Sequence, residues 1–284
     1  VLSCIEWENR DGYEDISAVL DLNILPFARY AGQEYPDLMG LHVAEPPRGA
    51  ARGRAADRLL LYLVMTGNAP LSPTKQTQLL ESLAKLYYAT SGTATSAMRR
   101  VAEQLNRLLL NRNLRIASSG QQGMGILTQV VIREDAVSST AQVYLAHSGP
   151  NHAYLIASGG TQHFFDDELE STALGQGRLA PVAYHQASLH VNDLLILAVQ
   201  PSADWDAAAL GNLHGQGPES IRRRLFLPAE GDLNAVLIQP KPGKGQFYIL
   251  RSDLYRGSRP ASAEEQSPQA ASPEYEQPGE GLSA

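Results

Sequence analysis

Histidines are the side chains of this sequence best placed to do chemistry. His147 and His152 stand on either side of the turn-forming residues 148–151, and His163 follows a short distance later. If the flanking runs pair as an antiparallel hairpin, His147 and His152 face each other and could bind a cation together with His163. Cross-strand partners on a solvated face are the other interpretation, and the one we favour.

Other candidate groups carry weaker signals. His185 and His190 fall on opposite faces of a predicted strand, so we do not expect them to share a metal. The glycines of residues 120–125 precede a strand, whereas a phosphate-binding loop opens a helix, so they predict a turn. Ser148 lacks the sequence context of a nucleophile elbow.

Two groups of arginines could bind anions. The run from Arg48 to Arg58 could hold a phosphate or an acidic partner, although a surface loop is the interpretation we favour. Arg222, Arg223 and Arg224 lie on a predicted helix and are expected to form a solvated face.

Composition narrows the class of protein. The chain has 284 residues, 43% hydrophobic and 19% charged, with a net charge of −7, which argues against a nucleic-acid partner. Its one cysteine, Cys4, excludes an internal disulfide and a cysteine-based zinc site, and it favours a cytoplasmic location. The longest apolar run, residues 59–65, is far shorter than the ~20 residues of a membrane span, so no membrane insertion is expected.

The elements that would position these groups are mostly strands. Residues 142–157 predict two strands joined as an antiparallel hairpin. After a second turn over residues 158–160, residues 162–165 extend the hairpin as a meander. The unbroken apolar run Leu194–Val199 predicts a central strand buried on both faces. Residues 57–65 fit either a buried strand or a short helix.

Two amphipathic helices are predicted between the strands. Ser72 and Pro73 are a typical N-cap and first residue for a helix over 73–89, and Thr93 or Thr95 could cap a second helix over 95–111. Leucines repeat at helical spacing in both, so the helices should pack antiparallel on one sheet.

The remaining segments complete an α+β prediction. Residues 1–30 are predicted to be extended and residues 31–58 to form a loop. Shorter helices are predicted over 203–213 and 218–226. We expect one domain over residues 1–256, followed by a disordered acidic tail or linker over 257–284 that is rich in Pro, Ser and Glu.

One segment of this sequence is similar to a family signature. Residues 147–155 lie in the frame of the signature N-x-G-D-S-R-A-Y-L, which belongs to the metal-dependent Ser/Thr protein phosphatases of type 2C (PPM). They match it at Gly149, Ala153, Tyr154 and Leu155.

Four further segments resemble the same family, in the same order. Residues 189–197 follow the first nine positions of the motif l-x-P-G-D-x-l-l-L-x-S-D-G-L. Residues 230–235 resemble the motif G-x-D-N-x-T. Residues 9–15 are similar to N-R-x-x-N-E-D, and residues 104–110 to the A-N-x-x-L helix. The resemblance implies a four-layer α-β-β-α sandwich, in which two antiparallel sheets are flanked by helix pairs.

The resemblance also implies a metal site, and the sequence keeps only part of it. The family hydrolyses phosphate esters with two Mg²⁺ or Mn²⁺ ions held by aspartates. Asp15 and Asp232 match two of those aspartates and would be vestigial ligands. The aspartate of S-D-G falls on Val199, that of G-D-S-R falls on Pro150, and the D-G-H-G-G segment has no counterpart. Displaced ligands could come from Asp37, Asp166 or Asp167.

These observations favour a degenerate member of the family. We expect a pseudophosphatase without a cofactor, more consistent with a binding or regulatory module than with an enzyme. Its partner would be a phosphoprotein, a signalling protein or another domain. The alternatives are an active Mg²⁺- or Mn²⁺-dependent phosphoprotein phosphatase with displaced ligands, and a structural domain of a larger assembly.

Overall fold

A computed structural model describes residues 19–35, 37–134, 140–227 and 229–250. Asp15, Cys4, the predicted strand at the N-terminus and the predicted tail over 257–284 lie outside these residues. The domain boundary at residue 256 therefore stays a prediction. All elements given below belong to one unit, residues 1–251.

The described residues form twelve strands and four α-helices. The strands are β1 (Leu20–Tyr30), β2 (Gln33–Tyr35), β3 (Leu41–Ala44), β4 (Asp57–Gly67), β5 (Gly123–Glu134), β6 (Thr140–Ser148), β7 (His152–Ala157), β8 (Gly160–Phe164), β9 (Ala183–His190), β10 (Leu194–Ala198), β11 (Leu233–Pro242) and β12 (Phe247–Ile249). The helices are α1 (Pro73–Ala89), α2 (Ala94–Ile116), α3 (Ala207–Gly211) and α4 (Pro218–Ile221), and a π-helical turn (Arg222–Phe226) continues α4.

The strands form two sheets. One has seven strands in the order β12-β1-β11-β10-β7-β8, with β2 added to β1, and the other has five in the order β3-β4-β5-β6-β9. Every pairing is antiparallel except β1 with β12, which run parallel. The predicted α+β class is confirmed.

Alternating side chains on buried strands separate the layers. Along β4, Leu60 and Tyr62 point between the two sheets, whereas Leu59, Leu61 and Leu63 pack against α1 and α2. This alternation follows from the two-residue period of a strand, and it makes β4 apolar on both faces. The segment over residues 57–65, which the sequence left open between strand and helix, is therefore a strand.

Strand β10 shows the same pattern on the other sheet. Leu195 and Leu197 lie between the sheets, whereas Leu194 and Ile196 face an outer layer that includes Phe226. A helical layer thus covers each sheet, which gives the four layers that the sequence predicted. Helix α3 is shorter than the helix predicted over 203–213, whereas α4 and the π-helical turn after it together span the helix predicted over 218–226.

The long helices begin where the sequence predicted. Pro73 is the first residue of α1, although the Ser72 side chain makes no capping hydrogen bond. Thr93 caps α2 by accepting a hydrogen bond from the Ser96 amide. Helix α2 extends to Ile116, past the predicted end at residue 111. No helix in the described part of the chain combines the length and the apolarity that crossing a membrane requires.

The predicted hairpin over residues 142–157 is wrong, although both of its strands exist. Strand β6 pairs with β5 and β9 in the five-stranded sheet, whereas β7 pairs with β10 and β8 in the other. The turn between them is anchored by the buried Asn151, which accepts a hydrogen bond from Thr128 at 2.8 Å and donates to the Leu127 carbonyl at 3.2 Å. Both strands are apolar on both faces, which suits strands inside a sandwich better than an isolated hairpin.

Residues 31–58 are not a simple loop, since they contain β2, β3 and the start of β4. Arg54 in this segment is buried and pairs at 2.5 Å with Asp57, which is itself fully buried. Arg222 is also buried and pairs with Glu34, so it does not lie on a solvated face. Arg222 and Glu34 are 188 positions apart, so local charge patterns do not reveal their pairing.

Candidate functional site at one edge of the sandwich

The segments singled out by the sequence meet at one edge of the sandwich. Ala198, the last residue of β10, pairs with His152 at the start of β7 and with Ala235 near the start of β11. The end of β6 lies at the same edge, because only residues 149–151 separate it from β7. We call this end of the molecule, which carries His147, His152, Gln200 and Asp232, the site edge.

Asp232 is an exposed carboxylate with a hydrogen bond to the main chain. It directly precedes β11, whose first residue Leu233 pairs with Arg29. One Asp232 carboxylate oxygen accepts a hydrogen bond of 2.6 Å from the amide of Ala31, a turn residue with a φ of 49°. This contact stabilises the turn between β1 and β2, as a short polar side chain commonly does.

Arg29 fixes the loop that carries Asp232. Its buried guanidinium donates hydrogen bonds to the carbonyls of Phe226 and Gly231, each at 3.0 Å, and to that of Ala229. Three carbonyl acceptors satisfy the donors of a cation that would otherwise be costly to bury. The position of Asp232 is therefore set by the backbone around it.

Val199 and Gln200 follow β10 at this edge. Val199 is buried, with 8% of its surface exposed, whereas Gln200 is exposed and lines a cavity of about 380 Å³ with Asp204, Glu230 and Asp232. Counted from Asp193, the aspartate of the family's S-D-G segment falls on Gln200, one residue after Val199. Val199 and Gln200 both lack the anionic oxygen that the resemblance implies for this position.

The described residues do not fit a two-metal centre. Within the described ranges, no three His, Cys, Asp or Glu side chains are grouped so that they could hold a metal ion. Pro150, at the position of a family aspartate, has no side-chain oxygen. Asp15 lies outside the described residues, so its position relative to Asp232 stays a prediction.

The alternative ligands have other surroundings. Asp37 lines a separate cavity with Tyr30 and Met65. Asp166 accepts a hydrogen bond of 3.0 Å from the amide of Glu168 and so caps the short 3₁₀ turn that Asp167 begins. None of the three joins Asp232 in a set of metal ligands.

Two histidine pairs occupy the rest of the site edge. Nδ1 of His152 lies 3.0 Å from Nε2 of His163, and the His152 ring stacks on Phe165 at 4.2 Å. The ring of His147 packs 5.2 Å from the ring of His185 on β9. The prediction that His147 faces His152 across a hairpin is thus wrong, because their strands belong to different sheets.

The contact between His185 and His147 was not predicted from the sequence. The β6–β9 pairing places Leu145 opposite His185, so the two imidazoles are diagonal neighbours. No local signal predicts this pairing, because the strands are separated by β7 and β8. His190, five residues further along β9, contacts Asp193.

Burial keeps these imidazoles neutral. Burial lowers the pKa of His147 to about 3, with smaller contributions from the neighbouring histidines. Burial also lowers the pKa of His152 to about 4, with a smaller contribution from the nearby His163. Neither ring nitrogen of His147 has a hydrogen-bond partner in the described part of the chain. Neutral imidazoles can relay protons or bind soft cations, but two pairs in separate sheets do not supply the oxygen ligands that Mg²⁺ or Mn²⁺ prefers.

Comparisons with known proteins agree on the fold. No family model matches the chain, and no curated protein sequence matches it. Solved structures do match. PppA of Pseudomonas aeruginosa, described as a key regulatory component of T6SS, is 13% identical, with a TM-score of 0.54 over 78% of this chain and 99% of that chain.

Two Ser/Thr phosphatases give similar values. Stp1 from Staphylococcus aureus is 12% identical, with a TM-score of 0.55 over 78% of this chain and 95% of that chain. The S. agalactiae serine/threonine phosphatase is 12% identical, with a TM-score of 0.53 over 77% of this chain and 99% of that chain. At this level of identity the likeness shows the fold alone. The chain therefore has the fold of the type 2C (PPM) metal-dependent Ser/Thr phosphatases.

Proposed function

We propose that this chain is a phosphatase-like module that binds a protein partner and does not hydrolyse phosphate esters. The observation that supports this most is the donor set at the site edge. Gln200 and Pro150 stand at two of the ligand positions that the resemblance implies, and Asp232 is hydrogen-bonded to Ala31.

A pair of divalent metal ions requires negative charge from the side chains that bind it. Mg²⁺ and Mn²⁺ bind through several anionic or carbonyl oxygens, and two such ions close together need carboxylates to offset their repulsion. A carboxamide supplies one neutral oxygen and a proline side chain supplies none. Even if Asp15 joins Asp232, two carboxylates are too few to hold and bridge two ions.

Retention of the fold without the chemistry has a simple basis. Among the described residues, the three apolar clusters of the sandwich contain Val199 but neither Gln200 nor Asp232, so we expect the fold to form without a metal. A surface carried by such a fold can act as a binding module. The description of PppA as a regulatory component is a statement about that protein, and it is compatible with a regulatory role here. The single cysteine supports the proposal of a cytoplasmic location.

Hydrolysis measured on matched variants tests the proposal. Four proteins are purified identically and assayed on a phosphate ester and a phosphopeptide with millimolar Mn²⁺. They are wild type, Asp15→Ala, Asp232→Ala and Asp204→Ala. Asp204 is the control, because it is an exposed carboxylate that lines the same cavity and matches no family ligand. We expect the same background rate from all four proteins.

A different pattern would identify an alternative. Hydrolysis that is lost in Asp15→Ala and Asp232→Ala but kept in Asp204→Ala would contradict the proposal and establish an active phosphatase. If activity is absent but Mn²⁺ raises the melting temperature of wild type and not of Asp232→Ala, one vestigial ion is bound as a structural ligand. Failure to bind any protein would favour a purely structural domain.

A further inference from the structure

A groove on the helical face of the molecule, remote in sequence from the site edge, has the features of a binding site. Helices α1 and α2 and the loop over residues 177–180 enclose a cavity of about 680 Å³. The side chains that matter for the argument are Leu86 from α1, Arg100 and Arg107 from α2, and Arg178 and Leu179 from the loop. We call this cavity the arginine groove.

Two buried asparagines hold the loop against α2. Asn106 accepts a hydrogen bond from the amide of Gly175 at 2.7 Å and donates to the carbonyl of Gly177 at 2.9 Å. Asn113, two turns later, donates to the carbonyls of Gly175 at 3.0 Å and Gly123 at 2.8 Å. These bonds fix the backbone just before Arg178, so the loop is positioned before any partner binds.

Gly175 allows this close approach. It has a φ of 95°, and a Cβ added there would lie 2.7 Å from Cβ of Leu109 on α2. Only glycine accommodates both the backbone conformation and the contact. The loop therefore packs directly on α2 and presents residues 178–180 at the rim of the groove.

The groove is positively charged on a negatively charged protein. It contains Arg100, Arg107 and Arg178 against one carboxylate, Glu103, whereas the chain carries a net charge of −7. None of these three arginines forms an ion pair with a carboxylate in the described part of the chain. Arg107 instead donates a hydrogen bond to the side chain of Gln104. Clustered guanidinium groups without a carboxylate partner favour an anionic ligand.

An exposed leucine adds an apolar feature to the same place. Leu179 has 85% of its surface exposed, the largest value among the exposed large hydrophobic residues of the described chain. Leu86 and Leu110 line the cavity beside it and are partly buried. A rigid loop that holds a leucine in water beside further leucines offers an apolar contact to a partner side chain.

We propose that the arginine groove binds an acidic segment of a partner protein, one in which carboxylates flank an apolar side chain. The carboxylates pair with the three arginines, and the apolar side chain packs against Leu179 and Leu86. The volume exceeds what a single phosphate would fill, which favours a peptide segment. This inference deepens the proposed function by naming the partner class, but it does not depend on whether the site edge hydrolyses phosphate esters.

Fluorescence anisotropy with the full chain tests the groove. The probe is a labelled peptide with a leucine flanked on each side by glutamates, and a peptide with glutamines in place of the glutamates is the neutral control. We expect saturable binding of the acidic peptide that weakens as salt is added, and no binding of the neutral one. The double variant Arg100→Gln/Arg107→Gln should weaken binding at least ~5-fold, and Leu179→Ala should weaken it by roughly 5-fold.

Matched variants separate the groove from general charge. Arg115→Gln removes an exposed arginine of α2 outside the groove, and Leu114→Ala shortens an exposed leucine of the same helix. Both should bind the acidic peptide as wild type does. Equal losses in these controls, equal binding of the neutral peptide, or no binding at all would overturn the proposal. Preferential binding of a single-stranded RNA oligonucleotide would overturn the assignment to an acidic protein segment. The hydrolysis assay above is unaffected by any of these outcomes.

Discussion

Strand β10 runs from the apolar interior of the sandwich to the site edge, and these two regions constrain their side chains differently. In the interior, Leu195 and Leu197 fill the space between the sheets, while Leu194 and Ile196 fill the outer layer. Immediately after the strand, the chain reaches the site edge with Gln200, where a carboxylate would be needed for metal chemistry. Packing constrains each position of the strand, because every side chain contacts others, whereas the edge faces solvent and tolerates substitution.

The fold of this chain and any chemistry at the site edge therefore depend on different residues. Apolar side chains buried on both faces of β4 and β10 are enough to build the phosphatase-like sandwich. On the proposed function, the side chains at the site edge add little to folding, so the architecture does not require a complete set of metal ligands. Substitutions in the interior should therefore have large effects on stability, and substitutions at the edge should have small ones.

The largest expected effect is at the buried carboxylate of Asp57. Its oxygens contact Arg54 at 2.5 Å, Arg133 at 2.7 Å and the Tyr87 hydroxyl at 2.7 Å. Asp57→Ala leaves the buried Arg54 without its carboxylate, which should cost about 3–5 kcal/mol in the free energy of unfolding. Urea denaturation measures this value. A change below ~1 kcal/mol would show that the cluster is solvated.

The next largest effect is a cavity beneath α2. Leu105 is fully buried between the helices and the five-stranded sheet. Leu105→Ala should lower the free energy of unfolding by about 2–5 kcal/mol, because the space it leaves is only partly refilled. Leu108→Ala on the exposed face of the same helix is the control and should cost much less. Equal losses in the two variants would contradict the described orientation of α2.

A pH-dependent loss of stability should come from His147. Burial lowers its pKa to about 3 in the folded chain, against an ordinary value of about 6.5. The unfolded chain therefore binds a proton more readily, and stability that is present above pH ~6.5 is lost as pH falls toward 3. His147→Gln should remove a few kcal/mol of this pH dependence. A stability profile unaffected by His147→Gln would refute the assignment.

The smallest effect is expected at the site edge. Asp232→Ala removes the acceptor of the Ala31 amide and should lower the free energy of unfolding by about 0.5–1.5 kcal/mol. Asp204→Ala in the same cavity should be close to neutral. A loss of several kcal/mol at Asp232 would mean that the edge is as tightly constrained as the interior.

Features with a local signal were predictable from the sequence. Helix α1 begins at Pro73 and ends at Ala89 as predicted, because the turn residues before it and its leucine spacing are both local. The buried run of β10 was predicted for the same reason. The bond between Asp232 and Ala31 was not predictable, since it requires the β1–β11 pairing of residues about two hundred positions apart.

The histidine pairs and buried arginines show the same limit. His147 contacts His185 only because β6 pairs with β9, and the turn over residues 148–151 suggested a hairpin instead. Arg222 resembles a surface residue within a run of arginines, yet it pairs with Glu34 on β2, a strand too short to leave a pattern. Charge patterns do not reveal such partners, because the partners are brought together by the sheets.

Counting bound Mn²⁺ ions tests most directly whether the site edge is a metal centre. Free Mn²⁺ gives an electron paramagnetic resonance signal that disappears on binding, so titration of wild type, Asp15→Ala and Asp232→Ala yields the number of ions held. We predict that wild type binds at most one ion, because Gln200 and Pro150 supply no carboxylate for a pair. Two ions bound per wild-type chain, both lost in Asp232→Ala and accompanied by phosphate-ester hydrolysis, would contradict this account.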